Sequence, residues 1–448
     1  MKIRQAWVQE RDLQETETQG TETQGTDTQE TVQEPGPQEE IERQATGVID
    51  QATGIRIVPT EPDRLAPLQP NSNPRPAMRI AIFGSRGIPH TYGGAEAFVE
   101  ELAPRLAERG HRVTVYCRRS LFSARPPRYR GVDLRYLRNI ETKVLGTPTH
   151  TLACMLDVTH RPVDVFLVLN IVNGFHCILP RLLGKTFAIN VDGVDWKRGK
   201  WGRLARKYFH LNAQWIGKIC PKGVITDAAE MQRIYQDEFG TASTCIAYGA
   251  NIERSENPEI VRQYGLEPFE YYLIASRMVS ENNPDLIVEA FEGLQTNRML
   301  AVAGGVNYRS EFVRKLQQTR DPRIKFLGHV DDARLVKELH CNAYAYVHGH
   351  SLGGTNPSLV KALGYGNCVL ALNTPFNREV LSGHGIMFER NVEDLRWQLQ
   401  AVEDDPAMAE EYRQHAPERI REAYSWDHIT DQYEDFFYQL VDSRRSKK

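Results

Sequence analysis

No apolar run in this chain approaches the roughly 20 residues a membrane-spanning helix needs, and the N-terminus, MKIRQAWVQERDLQETE, lacks the apolar core of a signal peptide. Cysteines are few and solitary. The seven, at 117, 154, 177, 220, 245, 341 and 368, form no CxxC pair and their number is odd. That argues against a disulfide frame or a zinc ribbon and fits reduced thiols in a cytoplasmic protein. A strong charge of one sign is also missing. The net charge is -3, and residues 1–60 alone carry 5 Lys/Arg against 12 Asp/Glu, a net of -7 that leaves about +4 for the remainder. So small a basic excess speaks against a nucleic-acid binder, yet it suits small anionic ligands. FGSRGIP (83–89) has GxxG spacing rather than GxGxxG, and the next strand ends YCRR with no acid to hold a ribose. A nicotinamide-binding unit is therefore disfavoured.

What is present is an ordinary soluble composition, 41% hydrophobic and 25% charged, in a 448-residue chain, enough for two or three domains with sizeable cores. Residues 13–47 repeat a Thr-Glu/Asp-Thr-Gln unit and hold almost nothing that could build a core. They are expected to be disordered, and APLQPNSNPRPA then reads as a proline-rich linker, so that 1–77 form an acidic tail. Order begins at Met78. RIAIF, AEAFVEELAPRLAER and HRVTVYC read as strand, helix and strand, a βαβ unit. DVFLVLN, TFAINVDG and GVITD continue as buried strands, and a second α/β series starts near Tyr271 with YYLIASR, MLAVAGG, IKFLGHV, AYAYVHGH and CVLALNT. The expected fold is α/β with two Rossmann-like domains, 78–255 and 256–425, facing a central cleft, and a last helix in 426–448.

Each half places a bare loop between a strand and a helix. Gly93 and Gly94 precede AEAFVEE; Gly353 and Gly354 precede TNPSLVKAL. Helix N-termini expose unpaired N–H groups and partial positive charge, and glycine removes the Cβ that would hold an anion away. Pro357 suits a first turn, with Thr355 or Asn356 as cap. A phosphate, or a diphosphate between two helix ends, would fit such a geometry; a glycine at a strand–helix turn can equally be structural. Arg277, after YYLIAS, can fork onto a phosphate or serve a surface ion pair. DWKRGKWGRLARKYFHLNAQWIGKICPK (195–222) holds eight Lys/Arg against one acid, with three tryptophans. Residues 197–222 therefore read either as a surface lying on anionic lipid or as a solvated helix with inward tryptophans. His348 and His350 alternate at a strand end, which would direct them to opposite sides; with no third ligand in view they do not make a metal site.

FGSRGIPHTYGGAEAFVEELAPRLAERGHRVTVYCR, VDGVDWKRGKW, ASRMVSENNPDLIVEAF and HGHSLGGTNPSLVKAL resemble GT-B glycosyltransferases of retaining family 4, and look closest to the rhamnosyltransferase-like branch. The resemblance spans about 78–440. It implies a nucleotide-sugar donor held mostly by the C-terminal domain, its diphosphate at Arg277, Gly354, Thr355 and Asn356, with Gly93 and Gly94 closing the other side. It implies Asp192 as the polar group beside the reacting carbon or acceptor hydroxyl, where Asp192 could equally cap its loop. Arg86, Asn282, His348 and Lys361 become further donor contacts. No cofactor and no metal are expected, because helix ends and an arginine can stabilise the departing diphosphate. The acceptor would be a glycan or a lipid-linked sugar of bacterial polysaccharide assembly. Two glutamates eight positions apart, usual in the family, are Gly353 and Lys361 here, and a usual lysine is Asn282. Lysine only donates hydrogen bonds. A catalytically silent protein of the same fold that binds a glycan or a partner is the alternative this departure leaves open.

Overall fold

Apolar runs of four to seven residues bounded by glycine or polar turns form strands in both halves, and the computed structural model assembles them into two sheets. The structure describes residues 75–89, 93–142, 145–198, 201–305 and 310–446, with the backbone of 48–49 and 56–57. Val48–Ile49 pairs antiparallel with Arg56–Ile57. The end of the expected 1–77 tail is ordered, since Arg75 pairs with Asp435 and the Pro76 carbonyl accepts from Tyr438 at 2.9 Å; the rest of that expectation falls outside the described residues.

The first sheet contains β1 (Arg79–Phe83), β2 (Arg112–Arg118), β3 (Arg128–Tyr129), β4 (Val132–Leu137), β5 (Val165–Leu169), β6 (Phe187–Asn190), β7 (Val224–Thr226) and β8 (Thr244–Cys245), in the order β8-β7-β6-β5-β1-β2-β4-β3. Only β3 and β4 pair antiparallel. Helices α1 (Gly94–Glu108), α2 (Gly146–Thr159), α3 (Ile178–Leu182), α4 (Arg203–Ile219) and α5 (Ala229–Phe239) cover it. All five residues of β5, VFLVL, are buried, the unbroken apolar run expected of a strand covered on both faces.

The second sheet contains β9 (Tyr271–Ala275), β10 (Met299–Ala303), β11 (Ile324–Gly328), β12 (Ala345–His348), β13 (Val369–Leu372) and β14 (Ile386–Phe388), all parallel, in the order β11-β10-β9-β12-β13-β14. Its helices are α6 (Pro284–Glu292), α7 (Glu311–Leu316), α8 (Ala333–Cys341), α9 (Pro357–Gly364), α10 (Pro375–Leu381), α11 (Val392–Asp404) and α12 (Pro406–Arg419). In both sheets the order turns back at the first strand, β1 lying between β5 and β2, and β9 between β10 and β12. Each turn-back opens a crevice at the carboxyl ends of the strands. The α/β class with two Rossmann-like domains is what forms.

The last helix, α13 (Trp426–Arg445), packs on the first domain. Tyr433 lies 5.4 Å from Phe98 of α1 between ring centres, Arg109 pairs with Asp431 at 2.6 Å and Glu434 at 2.8 Å, and His111 Nε2 is 3.1 Å from Glu434. Phe98 and Tyr433 are both fully buried, and burial of a ring of this size contributes about 2–3 kcal/mol. One hydrophobic cluster runs from β1 and α1 through Tyr248 and Trp426 to β9, β12 and α9.

Candidate functional site

The two glycine loops face each other. A Cβ on Gly94, at the start of α1, would stand 3.6 Å from Pro357 Cγ, at the start of α9. The two helix mouths are not alike. Gly93 caps α1 at φ 116°, and a Cβ there would overlap the Glu96 carboxylate. Glu96 is buried and accepts the Arg86 backbone N–H at 2.8 Å, so the α1 mouth carries a negative charge of its own. The Arg86 side chain is exposed on the same loop. The first turn of α9 has no acid. Asn356 Oδ1 accepts Ser358 N–H at 3.0 Å as its cap, leaving amides rather than the Asn356 side chain to meet a ligand.

Gly354 and Thr355 dock on the first domain at Asp227, just past β7. A Cβ on Gly354 would overlap the Asp227 carboxyl, and Thr355 Oγ1 donates to the Asp227 carbonyl. The Thr355 hydroxyl is thus committed to a contact between domains. Across the same seam, Glu379 of α10 accepts the N–H groups of Ala229 at 2.7 Å and Glu230 at 3.4 Å, at the start of α5. Gly353 holds φ 153° with open space where a Cβ would go. A glutamate could not take that place without a change of backbone.

Arg277 lies exposed at the carboxyl end of β9, and its guanidinium has no hydrogen-bond or ion-pair partner among the described residues. Asparagines fasten its loop: Asn282 Nδ2 donates to Arg277 O at 2.8 Å, and Asn283 Nδ2 to Gly349 O at 2.7 Å. Asn282 is 5% exposed, so it braces the loop instead of reaching outward. Lys361 is exposed on α9 without a hydrogen-bond or ion-pair partner among the described residues; its charge is felt at His340.

His348 and His350 do not point to opposite sides as expected: residues two apart on an extended chain share a face, and the two rings, at the end of β12 and just past it, stack with centres 4.2 Å apart and planes 10° apart. His348 is completely buried, with Nδ1 3.0 Å from Tyr346 Oη. His350 instead lines a pocket of about 170 Å³, counted to its open mouth, with Leu352, Gly353, Gly354, Asn356, Thr374, Phe376 and Asn377. Burial, with Arg277 and Arg198 nearby, lowers its pKa to about 3, and burial takes that of His348 well below the usual value. Both rings are neutral at physiological pH. His350 Nδ1 and His348 Nε2 are buried without a partner.

Asp192 follows β6 at φ 40°. Its N–H donates to Asn190 Oδ1 at 3.1 Å, Asn190 Nδ2 donates to Tyr433 Oη at 2.8 Å, and the Asp192 carboxylate bonds Tyr248. Asp227 is 1% exposed and Oδ1 lacks a partner. Burial first, and then the Asp192 charge, raise its pKa well above the ordinary carboxylate range. Two carboxyl groups thus stand at the ends of adjacent strands, Asp192 bonded to Tyr248 and Asp227 buried beneath Gly354, where burial and the neighbouring charge oppose its ionisation. Sequence reasoning missed Asp227, although GVITD closes on it as visibly as VDG closes on Asp192. It also missed Arg198, whose charge reaches both Asp227 and His350 from the stretch read either as a lipid-facing surface or as a solvated helix with inward tryptophans. That stretch divides: Trp196 is buried, Trp201 lies tilted against Phe209 with ring centres 5.2 Å apart, and Trp215 is 46% exposed.

Residues 256–419 match the family model described as glycosyl transferases group 1, and 151–251 match a domain of unknown function, DUF1972. The match to the glycosyltransferase model falls on the second domain. No curated protein sequence matches it at a significant level. Among solved structures, the protein is similar to the sucrose-phosphate synthase of Thermosynechococcus elongatus, with TM-score 0.67 and 15% identity over 82% of this chain and 100% of that one. It is similar to Anabaena HepE in complex with UDP and glucose, TM-score 0.65 and 14% identity over 81% and 100%. It is also similar to a glycosyltransferase from Rickettsia africae, TM-score 0.63 and 13% identity over 82% and 99%. At such identities the likeness is one of fold, the two-domain GT-B arrangement.

The raised pKa of Asp227 gives the protein a testable pH dependence. Its pKa in the fold lies above that in the unfolded chain, so its contribution to stability is undiminished below the unfolded pKa and falls as pH rises from there towards the folded pKa. Asp227→Asn, with the same shape and no proton to lose, is expected to raise the melting temperature more at pH 8 than at pH 5. The gain is about 1.4 kcal/mol for each pH unit over which the two states differ in protonation. A gap between variant and parent that stays constant from pH 5 to pH 8 would contradict the assignment.

Proposed function

We propose that the enzyme moves a sugar from a nucleotide-sugar donor to a glycan or lipid-linked acceptor, with retention and without a metal, in bacterial polysaccharide assembly. The observation that carries this reading is the close approach of Gly94 to Pro357, with the acid-free mouth of α9 and the unengaged Arg277 on the second domain's side. In this reading the amides around Gly354, Thr355 and Asn356 and the Arg277 guanidinium hold the donor diphosphate, and Gly93 and Gly94 close over it. As the bond between sugar and diphosphate breaks, negative charge grows on the leaving oxygen, and fixed donors there lower the barrier. The departing diphosphate accepts the proton of the incoming hydroxyl, so a strong base is not required. Asp192 serves the reacting carbon or the acceptor hydroxyl. Arg86 and Lys361 contact the nucleotide or sugar; Asn282 braces Arg277, and His348 acts through His350.

Support for a nucleotide sugar comes from neighbours of the same fold described in complex with UDP and with UDP-glucose. A deoxysugar donor such as dTDP-rhamnose follows from the rhamnosyltransferase-like resemblance. The working location is cytoplasmic, at the inner membrane face. The second reading, a silent protein binding a glycan or partner, is favoured by Lys361 and by the long acidic tail.

Nucleotide sugars should be screened for thermal stabilisation and for slow hydrolysis to free nucleoside diphosphate. Stabilisation by at least one of them together with hydrolysis is the expected result. Stabilisation without hydrolysis in the parent, restored by Lys361→Glu, would assign the silence to that side chain. Failure of every nucleotide sugar to bind sinks the proposal.

A further inference from the structure

Of thirteen large hydrophobic side chains exposed among the described residues, ten fall between Leu121 and Trp215. α2 presents Leu152 and Leu156, one turn apart, and α3 presents Ile178 and Leu182, also one turn apart. Leu183 follows, and Trp215 stands on α4. These helices form one surface. Their inner sides join a single cluster against the same face of the first sheet, with Phe83 and Phe166, and Arg181 of α3 donates to Ile219 O at the end of α4 at 3.1 Å. Leu182 is 78% exposed, far beyond what packing on that sheet would leave.

The charge of this surface is one-sided. Between 178 and 226 stand ten Lys/Arg and two acids, Asp192 and Asp195; Lys197 is taken by Glu238, and Asp157 of α2 is taken by Arg135 and Arg161. Asp195 is buried and Asp192 is tied to Tyr248, so neither offsets the outer face. Lys218 lies over the Trp215 ring at 4.5 Å, beside Leu182 and Leu183 across the Arg181 bond. A second copy meeting this face about a two-fold axis would set basic residues against basic residues. Anionic lipid meets both demands, with acyl chains for the leucines and headgroups for the lysines and arginines.

We propose that the outer sides of α2, α3 and α4 dock on an anionic membrane surface. The contact is thus wider than residues 197–222, and its apolar part comes mostly from α2 and α3. Both α2 and α4 start at the cleft. Gly146 of α2 adjoins Arg118 at the end of β2, and α4 follows Arg198. Docking there would bring the cleft to the bilayer surface, where a lipid-linked acceptor lies. The inference rests on the acceptor reading for its purpose and on exposed side chains for its geometry.

The full chain should be sedimented with phosphatidylcholine vesicles containing one-third phosphatidylglycerol and with phosphatidylcholine alone. Binding to the anionic vesicles is expected to be about tenfold tighter, and to fall about tenfold in the Leu182→Glu/Leu183→Glu variant and in Lys218→Glu/Lys222→Glu. Melting temperature and nucleotide-sugar hydrolysis should be unchanged in both, since these side chains are exposed and remote from the cleft. No binding to anionic vesicles, or equal binding to both kinds, overturns the proposal. So does a dimer in light scattering that Leu182→Glu/Leu183→Glu dissociates, because a second copy would then cover the face. Hydrolysis without vesicle binding defeats this inference alone. Vesicle binding without any nucleotide-sugar response defeats the donor reading and leaves the docking face standing.

Discussion

Gly354→Ala should lose both stability and activity. The added methyl would be driven into the carboxyl of Asp227, which is buried and has little room to retreat. Overpacking of this kind typically costs about 1–3 kcal/mol. The strain falls on the loop that supplies the amides at the mouth of α9, where a displacement of about 1 Å can slow a reaction roughly a hundredfold. Transfer or hydrolysis rates are therefore expected to fall by about a hundredfold or more, with a melting temperature several degrees lower. A second substitution identifies the cause. Asp227→Ala in the Gly354→Ala background should restore part of the stability, because the two residues meet and their effects cannot add independently. Wild-type rates in Gly354→Ala would mean that the seam between Gly354 and Asp227 is not part of the working site.

Arg277→Ala should have the opposite signature, lost activity at unchanged stability. Its guanidinium makes no hydrogen bond or ion pair to the described protein, and the loop below it is held by Asn282 and Asn283. Nothing in the fold depends on the side chain. If it meets the donor diphosphate, its removal is expected to lower kcat/KM by about a hundredfold to a thousandfold. Arg277→Lys would recover only part of this, since an ammonium cannot reproduce the two-pronged bond of a guanidinium. The check is a pair of measurements, kcat/KM and melting temperature. Equal losses in both would assign Arg277 a structural task instead.

Much of the frame could be read from residues. RIAIF, DVFLVLN and YYLIAS are short, apolar and closed by a turn, and they became β1, β5 and β9. The glycine loops and Arg277 stood out because chain topology alone sends them to the carboxyl ends of strands. Two elements did not stand out, for opposite reasons. VDLRYL, now β4, alternates weakly, and Arg135 is taken up by Asp157 at 2.8 Å, a partner twenty-two positions away. GTPTHTLACMLDVT, now α2, has Leu152 and Leu156 on its outer side and Cys154, Met155 and Val158 inside, which erases the polar face a helix normally shows. The site was harder still. Asp227, Arg198 and Glu96 are ordinary polar residues at ordinary positions, and each gained its environment from a neighbour distant in sequence or across the cleft. His348 and His350 share a side because side chains repeat every two residues along an extended chain, and what only the fold decides is that His348 is sealed in while His350 reaches the pocket.

The cluster that joins α1, Trp426 and β9 has a thermodynamic implication. Two domains that share one interior cannot melt separately, since either would expose the other's apolar atoms to water. Their motions during turnover are accordingly confined to bending about this common mass, which leaves the loops at the rim, Gly93 to Gly94 and Gly353 to Thr355, to admit and release what the cleft holds.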